Sequence, residues 1–232
     1  QLPAMVAMGF DQQPPPPINQ DKFKRFRDNL IQVFDAEKMR QIITDHLDDQ
    51  YEAEQLSKLL ALFKSPLAQK MTALEAEVQT PEAQQEMMQM GNIIMGQASP
   101  SRLEIVRKLD EATKSAELMV DLQVMIAGTM MKNMNKIVPP AQQMTEEQLG
   151  STLEQIRAQT LFPARQFIHL SMVYTYRSID DVELNEYVEL QQSEIGRWST
   201  ELMKDTFMNM FEEITIDLAA LMEKNFVEQN SL

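Results

Sequence analysis

The sequence lacks cysteine altogether and has only 6 glycines and 2 histidines. Without cysteine the chain has no disulfides, no thiolate metal ligands, no iron–sulfur cluster and no thiol nucleophile. The two histidines, His46 and His169, are too few for an all-histidine metal site. These absences exclude several classes of enzyme and cofactor before any motif is considered.

Positive charge and long apolar runs are also scarce. The formal net charge is −14 at pH 7, whereas proteins that bind nucleic acid or anionic lipid surfaces need a basic footprint. The longest apolar stretch covers residues 118–131 and is interrupted by Asp121 and Gln123. It is shorter than the roughly 20 residues of a membrane span. We therefore expect no nucleic-acid partner and no integral membrane protein.

Residues 1–18 have no helical period and contain the proline run Pro14–Pro17. We predict an extended, proline-rich N-terminal segment here. No basic stretch precedes an apolar one, so a signal peptide is not expected within this chain.

The remaining sequence has helical periodicity. Apolar residues recur three and four positions apart, and the prolines are expected outside these periodic segments. Three pairs, Ser65-Pro66, Thr80-Pro81 and Ser99-Pro100, are typical of helix starts. We predict an all-α bundle of about nine to eleven helices joined by short loops.

The chain also resembles itself at an offset of 128 residues. Leu56, Leu62 and Ser65 align with Leu184, Leu190 and Ser193. Each copy is predicted to be a short helix, a serine that caps the next helix, and then a longer helix. We predict two tandem helical units, at residues 19–138 and 139–232, with the second packed on the first.

The segment from Leu62 to Lys70 resembles the Phe-Tyr-x-Ser-x-x-Gly-x-Lys motif of a bacterial family, the domain of unknown function numbered 2059. The first copy departs from that motif with Leu-Phe for the aromatic pair and alanine for the glycine. The second copy has Leu-Gln for the aromatic pair and tryptophan for the lysine. The predicted motif residues, interpreted as a structural helix corner, are Phe63, Ser65, Pro66, Ala68, Lys70, Ser193, Gly196 and Trp198.

The resemblance implies an all-helical bacterial protein, exported to the periplasm in most members, with no assigned activity. It therefore predicts a fold and a periplasmic location, and it suggests no chemistry.

No residue is predicted to be catalytic or to bind a metal, and no cofactor is expected. Ser65 precedes a proline and is interpreted as a helix cap, since a nucleophilic serine needs a positioned base. His169 is expected to be a hydrogen-bonded residue in the interior or at its boundary, with pH sensing as a minor alternative. Adjacent carboxylates such as Glu212 and Glu213 diverge by about 100° on a helix, so they are interpreted as a solvated face.

Methionine is abundant, with 19 residues. Helical spacing places Met87 with Met90, and Met130 with Met134, on common faces. These residues can fill the core, line an adaptable apolar groove, or present thioethers to Cu(I). We predict that these four methionines line a possible apolar groove.

The leading hypothesis is a non-enzymatic binding or protein-interaction module. Its partner would be a protein, a peptide or a small apolar ligand. The alternatives are a carboxylate- or metal-dependent hydrolase, built from residues that only folding brings together, and a periplasmic Cu(I)-binding protein.

Overall fold

The computed structural model describes residues 33, 35–50, 53–137, 139 and 142–230. Within these ranges the side chains of residues 50, 92, 134, 136, 137, 219 and 222–230 are not described. The predicted N-terminal segment at residues 1–18 lies outside them.

The described part of the chain is all-helical, as predicted. It contains nine helices: α1 Ala36–Gln50, α2 Ala53–Phe63, α3 Pro66–Glu77, α4 Pro81–Gln97, α5 Pro100–Thr113, α6 Ser115–Ile137, α7 Glu146–Thr175, α8 Asp181–Gln192 and α9 Glu194–Asn230.

The helix starts follow the capping signals in the sequence. Ser65, Thr80 and Ser99 each accept a hydrogen bond from the backbone N–H three residues later, ahead of a proline at the first helical position. Thr145 and Gln148 exchange side-chain to backbone bonds of 3.2 and 2.9 Å, which form a capping box.

One proline contradicts the sequence-based expectation. Pro163 lies inside α7 rather than between helices. Proline has no N–H to donate to the carbonyl four residues earlier, which normally breaks or kinks a helix. The helix nevertheless continues to Thr175, and Ala164, Val173 and Tyr174 in the part beyond the proline are buried. Burial of these residues favours the helix over the local preference of proline.

Contacts divide the chain into two compact units. The first draws on the described parts of Gln1–Gln50, Leu122–Leu153 and Asp205–Leu232, and the second comprises Tyr51–Asp121 and Glu154–Lys204. Each unit takes residues from both sides of residue 138, so this division differs from a split into two tandem copies. The tandem division at residue 138 stays a prediction.

The first unit has a small core. Leu149, Met210 and Ile214 are buried in it. Its loop before α7 is held by Asn135, whose side chain bonds both the N–H and the carbonyl of Met144, at 2.7 and 2.8 Å.

The second unit holds a larger core and the candidate site. Helix α8 packs mainly on α5 and also touches α3. The buried cluster comprises Met71, Ile105, Val106, Leu109, Val173, Tyr176, Ile179, Leu184, Tyr187 and Val188.

Helix α4 closely approaches α7 in this second unit. A Cβ on Gly91 would lie 2.9 Å from Cδ2 of Leu170, so the glycine allows the close approach. The neighbouring turns of α4 carry the residues that line one wall of a cleft.

Candidate functional site

The second unit contains a cleft of about 510 Å³ beside α4 and the turn between α7 and α8. One part of its lining is apolar: Met90, Ile94, Ala98 and Val173. The other part carries charge or hydrogen-bonding groups: Glu86, Gln97, Ser99, Arg102, Tyr174, Arg177 and Asp181. A concave site with an apolar wall and a few convergent polar groups is the usual form of a small-ligand site.

Arg102 stabilises the turn between α7 and α8 at the cleft. Its guanidinium lies 2.7 Å from Oδ1 of Asp181 and donates to the carbonyls of Ile179 at 2.6 Å and Tyr176 at 3.3 Å. Only 14% of this side chain is exposed. The arginine therefore fixes the turn that precedes α8, and its charge is already matched by Asp181.

Tyr174 contacts two further charged residues of the cleft, Glu86 and Arg177. Its hydroxyl donates to Oε2 of Glu86 at 2.6 Å, and the guanidinium carbon of Arg177 lies 3.9 Å from the centre of its ring. Arg177 also donates to the carbonyl of Tyr174 at 2.7 Å. The hydrogen bond to Glu86, followed by burial, raises the pKa of Tyr174, so the phenol remains a neutral donor at physiological pH.

A pair of tyrosines lies in the core near the cleft. Tyr176 and Tyr187 both donate to Oε1 of Glu75, at 2.5 and 3.0 Å. Burial, reinforced by Glu75, raises the pKa of both phenols. These bonds connect α3 to α8 and support the turn beside the cleft.

Two of the predicted motif residues, Ser65 and Ser193, each lie between two consecutive helices, and the interpretation of the whole set as a structural helix corner stays a prediction. Ser65 Oγ accepts from the N–H of Ala68 at 3.2 Å, and Ser193 Oγ accepts from the N–H of Gly196 at 3.1 Å. A Cβ on Gly196 would overlap the carbonyl oxygens at the end of α8. Ala68 is buried at the corresponding position.

The other motif residues lie around these corners. Pro66 begins α3, and Phe63 ends α2 with 45% of its surface exposed. Lys70 Nζ binds both carboxylate oxygens of Glu183 at 2.6 Å. Trp198 is half-buried on α9. None of the predicted motif residues lines the cleft.

The four predicted groove methionines are found in different surroundings. Met87 is buried and Met90, which is 39% exposed, lines the cleft. Met130 is 41% exposed and belongs to the other unit, and the side chain of Met134 is not described. The four-methionine groove stays a prediction.

His169 is hydrogen-bonded at the edge of the core, as predicted. Its Nε2 lies 3.2 Å from Oδ2 of Asp110, and the other oxygen of Asp110 accepts from the N–H of Ala116 at the start of α6. No group of three histidine, aspartate or glutamate side chains in the described ranges is arranged to hold a metal ion. Asp110 instead caps the start of α6.

Sequence reasoning missed the charged part of the cleft, although two local signals were present. Arg102 stands in the first turn of α5, where the helix dipole disfavours a cation unless a carboxylate or carbonyl binds it. Tyr174 and Arg177 are three residues apart near the end of α7, a spacing that lets the two side chains meet.

Comparison with known proteins supports the family resemblance. Residues 37–101 match the model of a family described as an uncharacterised protein conserved in bacteria, DUF2059. The match covers the first predicted copy of the motif and part of the cleft, including Glu86, Met90 and Ile94. It is a single match and does not extend to the second predicted copy. No curated protein and no solved structure matches the chain.

None of the helices in the described ranges has the length and apolar character needed to cross a bilayer.

Proposed function

We propose that this protein is a non-enzymatic binding module and that the cleft of the second unit is its ligand site. The observation that carries the proposal is that one cleft combines an apolar lining by Met90, Ile94 and Val173 with the polar turn that Arg102 holds. The volume of the cleft lies within the range of about 300–1,000 Å³ found for small-molecule sites.

The hydrogen bonds around the cleft favour binding over catalysis. Arg102 is fully engaged by Asp181 and two carbonyls, and Glu86 accepts the hydroxyl of Tyr174. Such bonds lock side chains in position and preorganise a binding surface. A general acid or base would instead need a poised proton facing the ligand.

We further propose that the protein acts in the bacterial periplasm. The family resemblance supports this location, since its members are mostly exported. A cysteine-free fold is compatible with an oxidising compartment because it has no thiol that could be oxidised to a disulfide. Fractionation of a bacterium that expresses the complete coding sequence tests the location, and recovery in the cytoplasmic fraction alone would contradict it.

The two helix corners are also proposed to be copies of one ancestral unit. Equivalent bonds support this: the N–H of Ser65 donates to Leu62 and that of Ser193 to Leu190, at 3.0 and 3.2 Å. These bonds join each cap to the helix before it, in addition to the bonds that start the next helix.

Methyl NMR tests the proposed ligand site. Protein labelled at methionine and isoleucine methyls is titrated with a set of small apolar and amphipathic fragments. We expect fragments to shift the methyl signals of Met90 and Ile94, while Met203, exposed on α9 and outside the cleft lining, stays unchanged.

Two neighbouring substitutions provide the matched control. Ile94→Trp fills the cleft and should abolish the shifts. Ile93→Trp places the same side chain on an exposed position of the same helix, outside the lining, and should preserve them. If no fragment shifts Met90 and Ile94, or if both variants behave alike, the cleft is not the ligand site.

A further inference from the structure

The cleft contains one cation and one anion that are not paired with each other. Arg102 and Asp181 form an ion pair, but neither Glu86 nor Arg177 makes an ion pair with any side chain in the described part of the chain. Both are held by Tyr174 instead, Glu86 through the hydroxyl and Arg177 through the ring. The cleft thus presents a negative group at the hydroxyl of one aromatic residue and a positive group over its ring.

This arrangement restricts the ligands that fit. A purely apolar ligand would cover Glu86 and Arg177 without replacing their bonds to water, which is costly for charged groups. An anionic amphiphile would satisfy Arg177 and leave the carboxylate of Glu86 without a positively charged partner. A ligand with an ammonium and a carboxylate satisfies both.

The apolar wall defines the rest of the ligand. Met90 and Ile94 are one helical turn apart on α4, and Val173 faces the same cleft from α7. Methionine adapts its shape to side chains of different form. The wall therefore suits the aliphatic side chains of a ligand whose charged ends bind Glu86 and Arg177.

Building on the proposed function, we infer that the cleft binds a short zwitterionic peptide with apolar side chains. Its carboxylate pairs with the guanidinium of Arg177, whose planar fork matches carboxylate geometry. Its terminal ammonium is bound by Glu86, which retains a second carboxylate oxygen beyond the one that accepts from Tyr174. Its side chains pack on Met90 and Ile94.

The experiment compares three forms of one peptide by calorimetry and methyl NMR: trileucine, N-acetyl-trileucine and trileucine amide. Acetylation removes the ammonium and amidation removes the carboxylate. We expect the unmodified peptide to bind about tenfold or more tightly than either capped form, as expected for hydrogen bonds to charged groups.

Two variants test which residue binds each end of the peptide. In Arg177→Gln, amidation should no longer weaken binding, while acetylation still should. In Glu86→Gln, which can still accept a hydrogen bond from the hydroxyl of Tyr174, acetylation should no longer weaken binding, while amidation still should. Arg177→Lys keeps the charge and should retain part of the preference for the free carboxylate.

Arg197→Gln is the matched control. Arg197 is likewise an exposed arginine that donates to a backbone carbonyl, that of Gln192, but it lies outside this cleft. All three peptides should bind this variant as they bind the unaltered protein.

The outcomes separate this inference from the proposed function. The inference is overturned if the three peptides bind equally. It is also overturned if acetylation and amidation both still weaken binding in Arg177→Gln and in Glu86→Gln. If trileucine fails to bind while fragments still shift Met90 and Ile94, the inference fails and the ligand site stands. If neither binds, both are wrong.

Discussion

The helix corner at Ser65 and the corner at Ser193 share one local geometry and differ in their packing. In both, a serine ends one helix and caps the next through equivalent hydrogen bonds. Yet α2, which leads into the first corner, leaves Leu60 56% exposed, whereas α8, which leads into the second, buries Val188 at the equivalent position, with 2% exposed.

This contrast indicates that capping determines where a helix ends, while packing determines how much the corner contributes to stability. Short-range bonds depend on a few neighbouring residues and recur wherever those residues recur. Burial depends on what the rest of the chain brings against the helix, here α5 against α8. The four predictions below test this distinction.

The largest expected effect comes from removing equivalent leucines before each corner. Leu184→Ala should lower the free energy of unfolding by about 2–5 kcal/mol, because the site is fully buried. Leu56→Ala, at the half-buried equivalent position, should cost about 1 kcal/mol. Urea denaturation followed by circular dichroism measures both, and equal losses would remove the proposed difference between the corners.

The next effect concerns the small residue after each cap. Gly196→Ala should destabilise the protein by about 1–3 kcal/mol, because the new Cβ meets backbone carbonyls that cannot move independently. Ala68→Gly should cost about 1 kcal/mol, mainly through the higher backbone entropy of glycine in the unfolded chain. Thermal unfolding of the two variants compares them. A stable Gly196→Ala variant would show that the second corner is wider than described.

The caps themselves should behave alike. Ser65→Ala and Ser193→Ala each remove a hydrogen-bond acceptor for one N–H of the following helix and should each cost about 1 kcal/mol. Ser193→Ala also removes a hydroxyl that donates to the carbonyl of Leu190, but this carbonyl still accepts from the N–H of Ser193. Denaturant unfolding measures both, with Ser65→Thr and Ser193→Thr as controls that retain the acceptor. Losses that differ by more than twofold would mean that packing also controls the strength of the cap.

The smallest effect is expected from Lys70, the last motif residue of the first corner. Its ion pair with Glu183 is substantially exposed, so Lys70→Gln should cost at most about 1 kcal/mol. Added salt should reduce the difference between the variant and the unaltered protein, because ions screen exposed charge pairs. Unfolding curves at low and high salt measure this, and a larger, salt-independent loss would indicate a packing role for the lysine stem.

The sequence was most informative about local features. Ser-Pro and Thr-Pro pairs predicted the starts of α3, α4 and α5, because caps and first-turn prolines act within a few residues. Pro163 was the exception, since neighbouring packing carried α7 through it. The charged part of the cleft was not predicted, because Glu86 and Tyr174 meet only after α4 and α7 have packed together.

The contact between Gly91 and Leu170 has a consequence for how this cleft can diversify. Gly91 lies behind the wall that carries Met90 and Ile94 and is itself absent from the cleft lining. A larger residue there would meet the end of the Leu170 side chain, so either that side chain or α4 must shift. Where α4 shifts, the aperture of the site, and with it the preferred ligand size, changes through a position that no ligand touches.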